Sequence, residues 1–262
     1  MKPPFRIGSV PYLNAAPLTH GIESECVFLP PSLLAAELHA DRLEAALVSV
    51  SEVLLHPGYQ VLDGFGILSR GPVRSVFLAH RERLESIREI YLDPASCTSV
   101  NLLRVLLEDR RIYPTFRPLA DYSAAPSLPN VLLIGDSALM FRQQSHAHTL
   151  WDLGEAWQTS RQLPFVYAVW ALRRSGDPIR QREVIQYLQA AANAGLKALP
   201  EIVRTHPDFD PELRRQYLGG NIQYRLDAAA KEGLSTFARN LGRCLNQEIY
   251  MPKYASEGIL PH

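Results

Sequence analysis

The sequence predicts an α/β protein built as a two-lobed clamp, and three observations carry that prediction. β-prone runs alternate with helical runs through the first 170 or so residues; a second βα lobe is inserted into the first between two long extended runs; and from Asp177 onward the pattern turns helical, with no further strand expected. Each lobe is then a β-sheet flanked by helices, with residues 73–79 and 165–172 as the two crossing strands. Residues 1–79 and 170–262 make lobe 1, closed by the helical tail, and residues 80–169 make lobe 2. A ligand is expected between the lobes, facing strand ends and helix N-termini of both.

The composition narrows the function. A chain of 262 residues, 47% hydrophobic and 21% charged, can bury a substantial core. Its 27 basic and 27 acidic residues leave no net field to draw it to nucleic acid or to a membrane. No apolar stretch of signal-peptide length follows Met1, and no run approaches the roughly 20 apolar residues a membrane span needs, so a cytoplasmic location is expected. Cys26, Cys97 and Cys244 are odd in number and far apart, which favours ordinary thiols over a disulfide framework or a zinc site. His146-Ala-His148 reads as solvated loop, and no glycine-rich phosphate loop occurs. A small-molecule partner, without metal or organic cofactor, is the expectation; oligomeric state is not legible.

In chain order, residues 5–10 form a first strand that Pro11 stops, and Tyr12 and Asn14 follow before an Ala-rich turn and Pro17. Polar residues at such a strand end face a ligand or cap the next helix, and Asn14 suits either role. Residues 25–29 read as a strand, and Pro30-Pro31-Ser32 opens a helix with Leu33, Leu34 and Leu38 at helical spacing. The apolar run 43–50 is a buried strand, with Ser49 and Ser51 at its exit and Ser51-Glu52 opening a short helix. Residues 59–69 extend to a corner at Arg70-Gly71-Pro72. In the strand that follows, Val73, Ser75 and Phe77 share one face and Arg74 takes the other.

The inserted lobe starts with a brief strand, 90–93, broken at Pro94. A helix marked by Val100, Leu102, Leu103, Leu106 and Leu107 follows, with Thr98 or Ser99 as its cap. A Pro- and Ser-rich loop covers 114–129, a strand runs over 131–136 into helical Ala138-Leu-Met-Phe, residues 151–157 read as loop and helix, and residues 165–172 are rich in β-branched and aromatic types. Helices over 177–198, 200–218 and 227–245 complete the chain. Because a helix N-terminus presents free N–H groups and the positive end of its dipole, Thr98-Ser99-Val100 and Asp136-Ser137-Ala138 are candidate carboxylate cradles. Asp136 could orient a ligand hydroxyl or simply bond backbone.

Five segments then resemble a known family: Ser9-Val-Pro-Tyr-Leu-Asn-Ala-Ala-Pro-Leu18, Ile67-Leu-Ser-Arg-Gly-Pro-Val-Arg-Ser-Val76, Asp93-Pro-Ala-Ser-Cys-Thr-Ser99, Leu132-Leu-Ile-Gly-Asp136 and Leu163-Pro-Phe-Val-Tyr-Ala-Val-Trp170. They resemble the chorismate dehydratases of the futalosine route to menaquinone. The related enzyme that makes 1,4-dihydroxy-6-naphthoate usually carries a Cys-Pro-Asn-Asp-type segment near its N-terminus, which this chain lacks. The resemblance implies a type II periplasmic-binding-protein-like fold and a cofactor-free lyase that converts chorismate into 3-[(1-carboxyvinyl)oxy]benzoate and water.

It also implies a site. Asn14 is the candidate catalytic residue; Ser49, Ser51, Ser69 and Ser75 are candidate donors to the ligand; Thr98, Ser99, Val100 and Asp136 belong to the cradles; Tyr12, Phe165 and Tyr167 are candidate ring walls; and Arg74 is a charge partner or a solvated ion pair. Asn14 is neutral and takes no proton, so the substrate's own enolpyruvyl carboxylate, held by Asn14 beside C3, is the expected base, with Asp136 or Glu52 as the alternative. A non-catalytic small-acid receptor on the same clamp, and the naphthoate synthase, are the rival functions.

Overall fold

The computed structural model describes residues 5–94, 97–173 and 177–256, so Ala95 and Ser96 of the Asp93–Ser99 segment lie outside the described residues. The first part of the chain runs β1 (Ile7–Ser9), α1 (Ala16–Thr19), β2 (Cys26–Phe28), α2 (Pro31–His39), β3 (Ala45–Ser49), α3 (Val50–Leu55) and β4 (Tyr59–Ser69). A middle part follows with β5 (Val76–His80), β6 (Glu89–Leu92), α4 (Thr98–Asp109), β7 (Thr115–Pro118), β8 (Asn130–Ile134), α5 (Gly135–Gln143), β9 (Thr149–Asp152) and α6 (Leu153–Arg161). The last part holds β10 (Phe165–Arg173), α7 (Pro178–Lys197), α8 (Leu199–Thr205), α9 (Pro211–Gln216), β11 (Gln223–Leu226), α10 (Ala228–Leu245) and β12 (Tyr254–Ala255).

These strands make two mixed sheets. The larger has the order β11-β4-β10-β3-β1-β2, with β12 pairing β4 at Val61 and Leu62, below the stretch that β11 occupies. β1 pairs in parallel with β2 and β3, whereas β10 runs antiparallel between β3 and β4. The smaller sheet has the order β7-β6-β8-β5-β9, parallel on the β6 side and antiparallel on the β5 side. Large buried side chains, Trp157, Trp170, Phe165 and Phe237 among them, join helices to sheets. Burial of this apolar surface is the main term holding the fold.

Several expectations are corrected. The tail is not purely helical: β11 and β12 both pair with β4, whose eleven residues offer more edge than one partner covers. Each of the two strands expected to cross lies wholly in one sheet, β5 in the smaller and β10 in the larger, and the chain passes between sheets in the short segments 70–75 and 162–164 just before them. Residues 73–75 are therefore not strand, and Arg74 sits at φ +65°, outside any alternation of faces. β7 lies within the expected Pro- and Ser-rich loop and β9 at the start of the expected loop and helix. His148 is not solvated: it is buried, bonds Leu128 O through Nε2 at 2.7 Å, and packs with His146 around Phe141.

The first passage is pinned by Asp152, the N-cap of α6. Its carboxylate accepts from Val73 N at 3.1 Å and Arg74 N at 2.7 Å as well as from Gly154 N and Glu155 N. Four N–H donors on one buried carboxylate fix where the chain leaves the larger sheet. Gly154 permits the approach, because a Cβ there would stand 2.7 Å from Gly71 O and from Tyr167 Oη.

Candidate active site

Between the two sheets lies a cavity of about 90 Å3. Its polar wall is built from strand ends and helix starts: Tyr12 and Asn14 after β1, Ser49 at the end of β3, Ser75 before β5, Thr98 and Ser99 at the start of α4, and Tyr167 in β10. Apolar residues of both sheets, Leu47, Ile67, Val76 and Ile134, fill the gaps. Among the described residues that line it there is no Asp, Glu, Lys, Arg or His. An anion here meets hydroxyls, amides, helix N-termini and the Cys97 thiol, and no charged side chain among the described lining residues.

Asn14 is held by a relay that sequence reasoning missed. Its Nδ2 donates to Tyr217 Oη at 3.2 Å, and Tyr217 Oη donates to Ser75 Oγ at 2.7 Å. Asn14 lines the cavity, and its carbonyl oxygen is buried with no hydrogen-bond partner among the described residues, which leaves the acceptor side of the amide unused. Tyr217 opens a π-helical turn, Tyr217–Asn221, and is fully buried; burial pushes its phenol well above the ordinary value, which keeps it a donor. Its only sequence signal is a tyrosine beside Gly219-Gly220 in a polar run.

Thr98 is not a cap. Cys97 holds the N-cap position of α4, and the Thr98 hydroxyl instead bonds Ser49 Oγ and accepts from Ser51 N at 3.0 Å. Ser51 lies behind the wall, its hydroxyl accepting from Asn101 Nδ2 at 3.1 Å. These bonds tie the start of α4, on the smaller sheet, to the end of β3 and the start of α3, on the larger. Asp136 makes a second tie: both of its carboxylate oxygens lie 3.3 Å from Leu13 N, and burial pushes the carboxyl up to about 6, against the pull of that N–H.

Four of the candidate substrate-binding residues stand outside the lining: Ser51, Asp136, Val100 in the first turn of α4, and Ser69, whose hydroxyl bonds Gly71 O and the Tyr167 phenol, both at 3.1 Å. Phe165 is core, packed on Trp157 and Phe237, while Tyr12 and Tyr167 do line the cavity. Burial beside Asp93 and Asp136 pushes the Tyr12 phenol up to about 12, so it stays protonated. Arg74 reaches away to Gln216 Oε1 at 2.8 Å. Glu52 pairs with His39 and His56 and does not line the cavity.

Two sheets flanked by helices around a central cleft define the periplasmic-binding-protein-like class. A Candida albicans protein described as having the generic periplasmic binding protein structural fold superposes with a TM-score of 0.55, covering 98% of this chain and 99% of that one at 12% identity. A protein of Archaeoglobus fulgidus superposes with a TM-score of 0.74, covering 92% and 97% at 16% identity. In sequence, the chain is 31% identical to the chorismate dehydratase of Thermus thermophilus, over 91% of this chain and 96% of that protein. The menaquinone biosynthesis family profile matches residues 5–243, and the chain belongs to that family.

Proposed function

We propose that this protein is a chorismate dehydratase, a lyase that removes water from chorismate to give 3-[(1-carboxyvinyl)oxy]benzoate on the futalosine route to menaquinone. The observation that carries the reading is the 31% identity to a chorismate dehydratase across 91% of the chain. The cavity suits it, because a doubly anionic cyclohexadiene needs hydroxyl and N–H donors around its carboxylates, and no charged side chain faces the space. Residues 1–79 with 170–262 and residues 80–169 act as the two lobes of the clamp. The cavity of about 90 Å3 lies between them, lined from both sheets.

In the proposed reaction the C3–H bond breaks, its electron pair completes the aromatic ring, and the C4–O bond breaks to release the hydroxyl. Aromatisation supplies the driving force. With no carboxylate, amine or imidazole among the described lining residues, and the Cys97 thiol pushed up by burial, the enolpyruvyl carboxylate takes the C3 proton and passes it to the departing hydroxyl, which leaves as water. Asn14 holds that carboxylate with the amide N–H not engaged by Tyr217, and its free carbonyl oxygen accepts from the C4 hydroxyl. Ser75, Ser49 and the start of α4 at Thr98 and Ser99 donate to the ring carboxylate, into which charge from C3 delocalises. Ser51, Ser69, Val100 and Asp136 hold this wall from behind, and Tyr12 and Tyr167 flank the ring.

Free thiols at Cys26, Cys97 and Cys244 suit a reducing cytoplasm, and no helix among the described residues is long and apolar enough to cross a membrane. The test is incubation of purified protein with chorismate, followed by mass and ultraviolet absorbance. Loss of 18 mass units with growth of an aromatic chromophore is expected. Chorismate bound but unchanged would turn the reading into a receptor, and chorismate ignored would end it.

A further inference from the structure

At α3, outside the cavity lining, three side chains from two helices converge. His39 ends α2, and Glu52 and His56 stand four residues apart on or just after α3, so they share one face. His39 Nε2 lies 2.5 Å and His56 Nδ1 2.9 Å from the same oxygen, Glu52 Oε1, and the three ligand atoms all fall within 4.8 Å of one another. Behind His39, its Nδ1 lies 2.9 Å from Tyr59 Oη. The carboxylate is the sheltered member, 12% exposed, while His39 and His56 are 40% and 46% exposed.

We propose that His39, Glu52 and His56 form a binding site for a divalent transition metal of the zinc type, separate from the chorismate cavity. Two imidazoles and a carboxylate are the donor set that zinc and its neighbours prefer. A tautomer with the proton on Nδ1 lets His39 donate to Tyr59 Oη and turns Nε2 toward the metal, the outer-sphere partner that ligating histidines usually have. Tetrahedral zinc with ligands at about 2.0–2.1 Å spaces them about 3.3 Å apart, so on binding the two N···O distances, now 2.5 and 2.9 Å, lengthen and the two imidazole nitrogens, now within 4.8 Å, draw together by up to about 1.5 Å. The exposed histidines can move that far, and their open side leaves room for water in the remaining position. Short-range sequence motifs do not show the site, because His39 is supplied 13 residues before Glu52 by another helix.

Zinc sulfate titrated into tag-free protein against a chromophoric chelator tests this. One equivalent per chain should bind and raise the melting temperature by a few degrees. His39→Ala and His56→Ala should each weaken binding at least about tenfold, and Tyr59→Phe, which removes only the outer partner, should weaken it about tenfold. His146→Ala/His148→Ala should bind as the unaltered protein does. The proposal is overturned if the unaltered protein binds no more zinc than a His39→Ala/His56→Ala variant whose circular dichroism is unchanged, or if the His146→Ala/His148→Ala change is the one that removes binding.

Discussion

Asn14 and Tyr217 lie 203 residues apart in the chain, and the Asn14 amide donates to the Tyr217 phenol across 3.2 Å. Since the same phenol donates onward to Ser75 Oγ at 2.7 Å, one buried tyrosine sets the orientation of two cavity groups supplied by different segments. Tyr217→Phe keeps the ring's packing and deletes the relay. The expected result is a kcat reduced about 10²-fold with KM changed less than about threefold, because the substrate still binds while the amide loses its reactive placement. Stability should fall by roughly 1–3 kcal/mol from the unpaired groups left behind. Steady-state kinetics and urea unfolding check it; unchanged kcat with lowered stability would leave the tyrosine a purely structural role.

The free carbonyl of Asn14 supports a second expectation. Asn14→Asp is nearly isosteric but sets an anion against a dianionic substrate in a wall that has no cation to offset it. Turnover should drop by at least about 10²-fold, the scale of losing one well-placed donor. Activity within about threefold of the unaltered protein would reject Asn14 as the residue that holds the enolpyruvyl carboxylate.

How much of this was readable in advance depended on the range of the interaction involved. β4 was legible to the residue, 59 to 69, because Pro57-Gly58 and Arg70-Gly71-Pro72 bound an extended segment between two turn signals. The edge strands β7 and β9 were not, since their half-exposed residues lack alternation and are ordered by their neighbours. At the cavity, strand ends and helix starts pointed to Asn14, Ser49 and Thr98, a matter of local chain direction. Tyr217 was out of reach because its partner Ser75 is 142 residues away and no periodicity encodes that meeting. Arg74 misled for a different reason: Asp152 binds its backbone N–H, the residue turns left-handed, and the strand begins two residues later.

Thr98 tests whether the two sheets are latched at the cavity. Thr98→Val keeps the shape of the side chain but leaves Ser51 N, a buried donor, without its acceptor and frees the Ser49 hydroxyl. Amide exchange at the start of α3 should accelerate about tenfold and stability should fall by roughly 1–2 kcal/mol. Activity should fall with it. Exchange at the Ser51 amide that stays as slow as in the unaltered protein would show that the latch contributes nothing.

Asp136 makes a prediction about pH. Its carboxyl is pushed from an ordinary 3.8 up to about 6 because burial opposes ionisation more than the Leu13 N–H favours it. The folded state therefore holds this proton more tightly than the unfolded chain does. Its contribution is fully present below about pH 4 and is lost as pH rises to about 6; above that a constant cost remains, roughly 3 kcal/mol for a shift of this size. Asp136→Asn keeps a carbonyl acceptor for Leu13 N and removes the charge. Subtracting the stability of the unaltered protein from that of the variant cancels the other carboxylates, and the difference should grow in the variant's favour between pH 4 and pH 6 and then level off. Denaturation at half-unit pH steps measures it, and a flat difference would mean that the carboxylate ionises in the fold as easily as in the open chain. The same variant weighs the alternative base: with Asp136 outside the cavity lining, turnover should stay within about tenfold, whereas a loss of about 10³-fold or more would make Asp136 the proton acceptor and remove that role from the substrate's own carboxylate.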